Sequence, residues 1–313
     1  MLLHVVHETR YDYSPSVENA HHVVCLQPGD HSGQRLVRHN LDIQPAPSSL
    51  QELADVYGNP RTFFSLETPH DRLCVVADSL IETSRAREPG SVGPAWEKVR
   101  EYFRYHTSGA WDPACEFVFA SPYVPRDEAF ADFARASFLP GRPVLEAASD
   151  LMRRIYRHMK YETLSTDVNT PALEALAQGK GVCQDFAHIM VACCRAMGLP
   201  ARYVSGYLLT QPPPGQPRLI GSDASHAWAS VYCPASTASP QGHGELAWGQ
   251  WVDFDPTNDR SPGEDYVTLA TGRDFLDVSP MRGVIRGGAR HALSVAVTVA
   301  PAESAEPADL HGR

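Results

Sequence analysis

The first part of the chain carries short runs in which apolar and polar side chains alternate, separated by turn residues. These runs occupy residues 5–12, 22–26, 36–43, 61–66 and 73–77. Pro, Gly, Asp and Asn are common in the gaps between the runs, and these residues favour tight turns. Closely spaced strands with turns between them predict an antiparallel β domain over residues 1–83.

A helical period replaces the alternation in the middle of the chain. Residues 143–161 repeat apolar side chains every three or four positions, which predicts an amphipathic helix. A second apolar run begins near Cys183, and Gly198 and Pro200 end it. Helices combined with antiparallel strands predict an α+β fold, because alternating runs return at residues 201–209, 226–233, 247–255 and 291–299.

Changes of pattern divide the chain into four parts. The N-terminal β domain covers residues 1–83, and a linker with short helices covers 84–120. Residues 121–300 form the α+β core. The remainder, 301–313, is small and polar, which predicts a disordered tail. The β domain contains no set of residues typical of catalysis, so the candidate chemistry lies in the core.

Composition and charge exclude several classes of protein. The 313 residues include 27 basic and 37 acidic side chains, a formal net charge of −10, which argues against a nucleic-acid partner. No apolar run reaches the length of about 18 residues that a membrane span needs, so no membrane partner is expected. The N-terminus lacks the features of a signal peptide, and the seven cysteines are scattered. A cytoplasmic protein with reduced thiols is therefore expected.

One cysteine has the position of a nucleophile. Cys183 precedes the apolar period of its helix, so it is expected at the N-terminus or in the first turn. Unpaired N–H groups at a helix N-terminus favour a thiolate, and they can receive the oxyanion of a tetrahedral intermediate. Cys193 and Cys194 on the same helix are expected in the core. Cys183 is therefore the candidate nucleophile.

Two later strands supply candidates for a base and a carboxylate. His226 and Trp228 share one face of a strand, so Trp228 can cover the imidazole of His226 and exclude water. Asp253 and Asp255 share a face of another strand, which Pro256 ends. A carboxylate there can accept an imidazole N–H and fix the tautomer. The residues alone leave both aspartates open for this role.

Three motifs in this order resemble the bacterial branch of the transglutaminase-like superfamily. They surround the candidate groups at residues 181–188, 225–228 and 254–258. The segments at residues 7–13 and 55–59 resemble the β domain that precedes the core in these bacterial proteins. The resemblance covers most of residues 1–300, and its further matches lie at residues 203–207 and 272–280.

The resemblance implies a papain-like core, in which the helix that bears the nucleophile packs against an antiparallel sheet. It also implies a catalytic triad with Cys183 as nucleophile, His226 as general base and acid, and Asp255 as the orienting carboxylate. Asp253 is the alternative third member. Gln184 invites comparison with the oxyanion glutamine of papain-like enzymes, although the next residue of a helix points about 100° away.

Other side chains near the motifs are assigned supporting roles. Gln184 and Trp228 are expected to line the substrate site. Asp185 and His188 are expected to stabilise the helix or the edge of the core. No metal and no other cofactor is expected, because no set of His, Cys and carboxylate residues has the spacing of metal ligands.

The chemistry that fits these groups is acyl transfer on an amide bond of a peptide or protein through a thioester. Attack by water on the thioester makes the protein a peptidase or amidase, which is the first hypothesis. Attack by an amine makes it a transglutaminase or amide ligase. A non-catalytic binding module of the same fold is the third possibility. Residues 211–217 are a candidate rim of the site, with an ordinary stiff loop as the alternative.

Overall fold

A computed structural model describes most of the chain. It covers residues 1–84, 92–104, 112–163, 165–210, 225–234, 249–288 and 290–302. Two antiparallel sheets, one short parallel pair of strands and a group of helices make up this part of the chain, which confirms the α+β fold with an N-terminal β domain. In the described part, no helix is long and apolar enough to cross a membrane.

The N-terminal sheet is built on one long strand. This strand, β1, runs unbroken for 23 residues, where the alternation predicts two separate strands. Most of its inward positions are apolar and pack with those of its neighbours to form a core around Leu3, Leu73 and Ile81. The strands of this domain are β1 (Leu2–Val24), β2 (Gln34–Gln44), β3 (Ser49–Ala54), β4 (Pro60–Leu66) and β5 (His70–Thr83), in the order β2-β5-β1-β4-β3.

Two strands from the C-terminal end of the chain complete this sheet. Met281–Gly287 and Arg290–Pro301 both pair antiparallel with β1. This pairing differs from the predicted grouping, which places all of 121–300 in the core. The physical reason is that β1 has a second edge whose N–H and C=O groups need partners. The inward side chains Val297 and Val299 are fully buried in the N-terminal core.

The core sheet has four strands in the order β10-β9-β8-β11. Ala201, Ala229 and Val231 belong to the face that packs with the helices. The neighbouring positions, including His226 and Trp228, point to the opposite face. The strands are β8 (Ala201–Leu208), β9 (Ser225–Cys233), β10 (Gln250–Phe254) and β11 (Tyr266–Gly272), and the two C-terminal strands described above are β12 and β13.

One helix lies at the centre of the core. It contacts β8 and β9 on one side and neighbouring helices on the other, so residues all around it are buried. A pair of two-residue strands, β6 (Lys160–Tyr161) and β7 (Lys180–Gly181), precedes it. The helices are α1 (Trp96–Tyr102), a 3₁₀ helix (Pro113–Val118), α2 (Glu128–Arg135), α3 (Val144–His158), α4 (Ala172–Gln178), the central α5 (Cys183–Ala196) and α6 (Phe275–Val278).

Side-chain amides join the two sheets. The Gln34 amide donates to Thr268 O at 2.8 Å and accepts from Thr268 N at 2.8 Å. Asn59 makes the same pair of bonds with Thr271, also at 2.8 Å each. Both partners lie on β11, so these amides satisfy backbone groups of that strand as a neighbouring strand would. The N-terminal sheet thereby supports the strand that closes one side of the core sheet.

Two buried histidines predict a loss of stability in acid. Burial lowers the pKa of His7 to about 4, and burial together with Arg195 lowers that of His188 to about 3. An imidazole in the unfolded chain binds its proton near pH 6.5, so the unfolded state gains protons first. The two neutral imidazoles contribute fully to the free energy of unfolding above about pH 6.5, and this contribution is lost as the pH falls toward 4. The free energy of unfolding, measured with urea, should change with pH by a slope approaching about 1.4 kcal/mol per pH unit for each imidazole.

Single substitutions test this assignment. His7→Gln and His188→Gln should each reduce the pH dependence of the free energy of unfolding, whatever they do to its value at pH 7.5. His291→Gln, at an exposed position on β13, is the matched control and should leave the slope unchanged. A slope that none of the three substitutions alters would contradict the assignment.

Candidate active site

Cys183 is the first residue of α5, in partly exposed surroundings. The start of the helix is fixed by Asp185, whose carboxylate accepts from the backbone N–H of Val182 at 2.8 Å and from the Thr166 hydroxyl at 2.6 Å. Gly181 makes room for this carboxylate, since a Cβ there would lie 2.5 Å from its oxygen. The thiol is therefore held at a helix N-terminus, where free N–H groups are available.

The imidazole of His226 bridges the thiol and a buried carboxylate. Its Nε2 lies 2.7 Å from Oδ2 of Asp255. Cys183 interacts with the imidazole of His226, and its Sγ donates to Ser225 O at 3.9 Å. With Nε2 engaged by Asp255, Nδ1 is the ring nitrogen that remains for the thiol. The structure thus brings the three residues together in the order thiol, imidazole, carboxylate.

The charges of this group support one another. Burial lowers the pKa of His226, but the hydrogen bonds with Asp255 and Cys183 outweigh it and raise the pKa to about 9. Burial raises the pKa of Asp255, but the bonds from His226, Asn258 and Tyr266 outweigh it and the net shift is downward. The site therefore favours an imidazolium beside an ionised carboxylate at neutral pH.

Five hydrogen-bond donors surround the fully buried carboxylate of Asp255. Oδ1 accepts from the backbone N–H groups of Thr257 at 2.9 Å and Asn258 at 3.3 Å. Oδ2 accepts from His226, from the Asn258 amide at 2.7 Å and from the Tyr266 hydroxyl at 2.7 Å. Every acceptor direction is used, which fixes the orientation of the carboxylate and keeps it ionised.

Trp228 covers the imidazole, as the shared strand face predicts. The two rings lie 6.1 Å apart and nearly parallel, at 30°. Gly206, opposite on β8, leaves space for the indole, since a Cβ there would lie 2.1 Å from Val267 O and 2.5 Å from the Trp228 ring. Trp228 is fully buried. It therefore shields His226 from water, and the expectation that it lines the substrate site is not met.

Gln184, the other residue expected to line the substrate site, also lies elsewhere. Its side chain is buried, and its amide donates to Val168 O at 3.0 Å. The rotation of about 100° between successive helix residues turns it away from the thiol. Gln184 thus ties the segment before α4 to the start of α5.

Asp253 lies apart from the imidazole. It pairs with Ser230 across β10 and β9 and lines a cleft of about 1470 Å³ between the two sheets. Arg202, whose guanidinium lies 4.4 Å from the centre of the Trp251 ring, lines the same cleft. Among the described residues, the carboxylate that reaches His226 is that of Asp255.

His188 belongs to the core. It is fully buried, and its Nε2 accepts from the backbone N–H of Phe275 at 3.2 Å. Its ring stacks on Tyr123 with 5.4 Å between the ring centres. These contacts hold a neutral imidazole, in agreement with the expected structural role. The segment 211–217, the candidate rim, lies outside the described residues.

Sequence reasoning missed three residues around Asp255. Asn258 stands in the recognised motif, so its place after Pro256 is a signal that was available. Tyr266 opens β11, which is not among the predicted strands, and Arg260 precedes it. Their contact with Asp255 depends on how the chain folds back after β10.

Comparisons with known proteins place the chain in a family. The model of the bacterial transglutaminase-like N-terminal region matches residues 3–82, and the model of the transglutaminase-like superfamily matches residues 131–256. An uncharacterized protein of Mycobacterium tuberculosis, Rv2569c, is 39% identical over 305 residues, which cover 96% of this chain and 92% of the relative. ML0607 of Mycobacterium leprae is 30% identical over 300 residues, covering 95% and 98%.

A solved structure shares the whole fold. It is that of a candidate cysteine protease from Cytophaga hutchinsonii, with a TM-score of 0.70 over 98% of this chain and 92% of that one. At 19% identity the likeness concerns the fold alone. Both family models match in the order that the motifs predict, and the chain belongs to the transglutaminase-like superfamily.

Proposed function

We propose that the protein catalyses cysteine-dependent acyl transfer on amide bonds of peptides or proteins, with hydrolysis as the main outcome. The observation that carries this proposal is the continuous row of Cys183, His226 and Asp255. A thiol at a helix N-terminus, beside an imidazole that a buried carboxylate orients, is the arrangement that nucleophilic catalysis requires.

The first half of the reaction forms a thioester. The Cys183 thiolate attacks the amide carbonyl, and the oxyanion is received at the N-terminus of α5, where the N–H of Cys183 is available. The His226 imidazolium then donates its proton to the amide nitrogen. The C–N bond breaks, the amine leaves and the acyl group remains on sulfur. Asp255 stabilises the imidazolium and holds the ring in the tautomer that this transfer needs.

The second half releases the acyl group. His226, now neutral, takes a proton from water as the oxygen attacks the thioester, and the thiolate leaves with the carboxylic acid as product. A primary amine in place of water gives a new amide by the same steps. Assays of peptide and glutamine-carboxamide substrates, each with and without an added primary amine, test the two outcomes side by side.

Thiol alkylation should single out Cys183 at neutral pH. Cys183 is partly exposed at the start of α5, so iodoacetamide can reach its sulfur beside the His226 imidazole, whose pKa is raised to about 9. Burial raises the pKa of Cys194 to about 12 and that of Cys193 well above its usual value, so these two should not react. Mass spectrometry of digests after timed labelling between pH 5 and 10 measures the rate at each cysteine.

His226→Ala is the matched test of that result. At pH 7 it should slow labelling of Cys183 at least about tenfold, because the imidazolium is lost. Labelling of Cys74, on β5 in the N-terminal sheet, should not change. Slow labelling spread over several cysteines in the wild type would contradict the proposal.

A further inference from the structure

A tyrosine and an arginine lie behind the carboxylate of the site. Tyr266 donates its hydroxyl proton to Asp255, and Arg260 binds that hydroxyl from the other side. We propose that Tyr266, held by Arg260, is a positioning residue that limits how strongly Asp255 holds the imidazolium of His226. Only the kinetic consequence rests on the proposed acyl transfer, because the hydrogen bonds among these groups are present whatever the substrate.

The contacts form a chain of alternating donors and acceptors. The Tyr266 hydroxyl donates to Asp255 Oδ2 at 2.7 Å and accepts from Arg260 Nε at 3.0 Å. The guanidinium of Arg260 also lies 4.7 Å from the centre of the Tyr266 ring, and its Nη2 is bound to Asp265. The chain thus runs from an exposed ion pair to the buried carboxylate.

Two backbone hydrogen bonds also join Asp255 and Arg260. Asp255 N donates to Arg260 O at 2.9 Å, and Arg260 N donates to Asp255 O at 3.3 Å. The turn between them contains Asp259 at a φ of 51°, a conformation that side chains other than glycine rarely adopt. The turn therefore places Arg260 next to Asp255. From there Arg260 can bind Tyr266, which in turn donates to the Asp255 carboxylate.

Packing fixes the position of the tyrosine ring. Tyr266 is buried, and its ring meets that of Trp228 edge to face at 5.4 Å. The ring centre of His226 lies 5.9 Å away. A ring held on two sides cannot swing its hydroxyl away from Asp255, so the hydrogen bond is preorganised.

Tyr266 weakens the hold of Asp255 on the imidazolium because both groups bind the same carboxylate oxygen. Asp255 Oδ2 accepts from three groups, so its negative charge is divided among His226, Asn258 and Tyr266. A positive guanidinium bound to the hydroxyl makes it a stronger donor. Less charge is then left for the imidazolium, whose proton must pass to the leaving amine. A general acid works best when its pKa is close to the working pH. Tyr266 lowers the pKa of His226 and so brings it closer to that pH.

The decisive experiment titrates His226 directly. NMR of the protein with ring-labelled histidine, with the His226 signal assigned by its loss in His226→Gln, gives the titration midpoint without any substrate. Tyr266→Phe removes one oxygen atom and should move the midpoint upward by about 0.5 to 1 pH unit, since Asp255 then binds the imidazolium more strongly. Thermal unfolding of the variant confirms that it is folded at the temperature used.

Tyr232→Phe is the matched control. The Tyr232 hydroxyl also donates to a carboxylate, Asp112 Oδ2 at 2.8 Å, and also accepts an N–H, from Gly249 at 2.7 Å. Tyr232 is buried on β9, the strand of His226, but it lies six residues away. Its loss should lower the thermal unfolding temperature without moving the His226 midpoint. Equal midpoints for Tyr266→Phe and the wild type would overturn the proposal.

Arg260→Met tests whether the two residues act as one unit. Arg260 is exposed, so this variant is expected to fold. It should move the midpoint in the same direction as Tyr266→Phe but by less. In the Tyr266→Phe background it should add nothing, because the hydroxyl through which it acts is gone. Additive shifts would mean that Arg260 acts through space, and the proposed chain would be wrong.

The kinetic consequence distinguishes this inference from the proposed function. If an amide substrate is turned over, Tyr266→Phe should lower kcat about tenfold with little change in KM, and the alkaline limb of the pH profile should move with the His226 midpoint. If no amide is turned over while the His226 midpoint still moves on loss of Tyr266, the acyl-transfer proposal fails and the positioning role stands.

Discussion

Replacing Cys183 with alanine is expected to abolish amide turnover and leave the fold unchanged. Among the described residues, the thiolate of Cys183 is the one group placed to form the thioester, so kcat should fall by at least about 10⁴-fold. Cys183 is partly exposed at the start of α5, and its removal creates no cavity in the main helical core. The measurement is product formation under saturating substrate, with circular dichroism and thermal unfolding as tests of folding.

Two further variants serve as controls for the Cys183→Ala result. Cys183→Ser keeps a nucleophilic atom of similar size, but a hydroxyl is far harder to ionise than a thiol, so activity should remain near background. Cys74→Ala removes a thiol from β5 in the N-terminal sheet and should leave kcat unchanged. Turnover by Cys183→Ala near the wild-type rate would refute the cysteine mechanism.

The part of the site that could be predicted is the part that local pattern determines. The apolar period after Cys183 and the Gly and Pro at its end mark a helix with the cysteine at its start, as observed. The alternation around His226 places Trp228 on the same strand face, where it covers the imidazole. These relations span a few residues, so periodicity alone determines them.

The part that could not be predicted depends on long-range pairing. A run such as 291–299 alternates like any strand, and nothing in it indicates whether it joins the core sheet or pairs with β1. The same limit applies to Tyr266, which reaches Asp255 because β11 returns beside β8 at the edge of the core sheet. Register and sheet membership are properties of the whole chain, which one run of residues does not contain.

Asp255→Asn should cost far more activity than Asp253→Asn. Five donors surround the Asp255 carboxylate, so an amide NH₂ at that place would face at least one donor where an acceptor is needed. The imidazolium would also lose the charge that stabilises it. We expect kcat/KM to fall by about 10³- to 10⁴-fold, as when the orienting carboxylate of a triad loses its charge.

Asp253→Asn is the matched control because the change is identical and the residue lies only two positions away in the chain. Asp253 lies in the cleft between the sheets, so kcat/KM should stay within about threefold of the wild type. Both variants are compared at a temperature where thermal unfolding shows each to be folded. The reverse order of effects would assign the third role to Asp253, and equal small effects would mean that His226 needs no orienting carboxylate. A large loss confined to Asp255→Asn would assign the third role to Asp255, because of these two carboxylates only that of Asp255 contacts the imidazole.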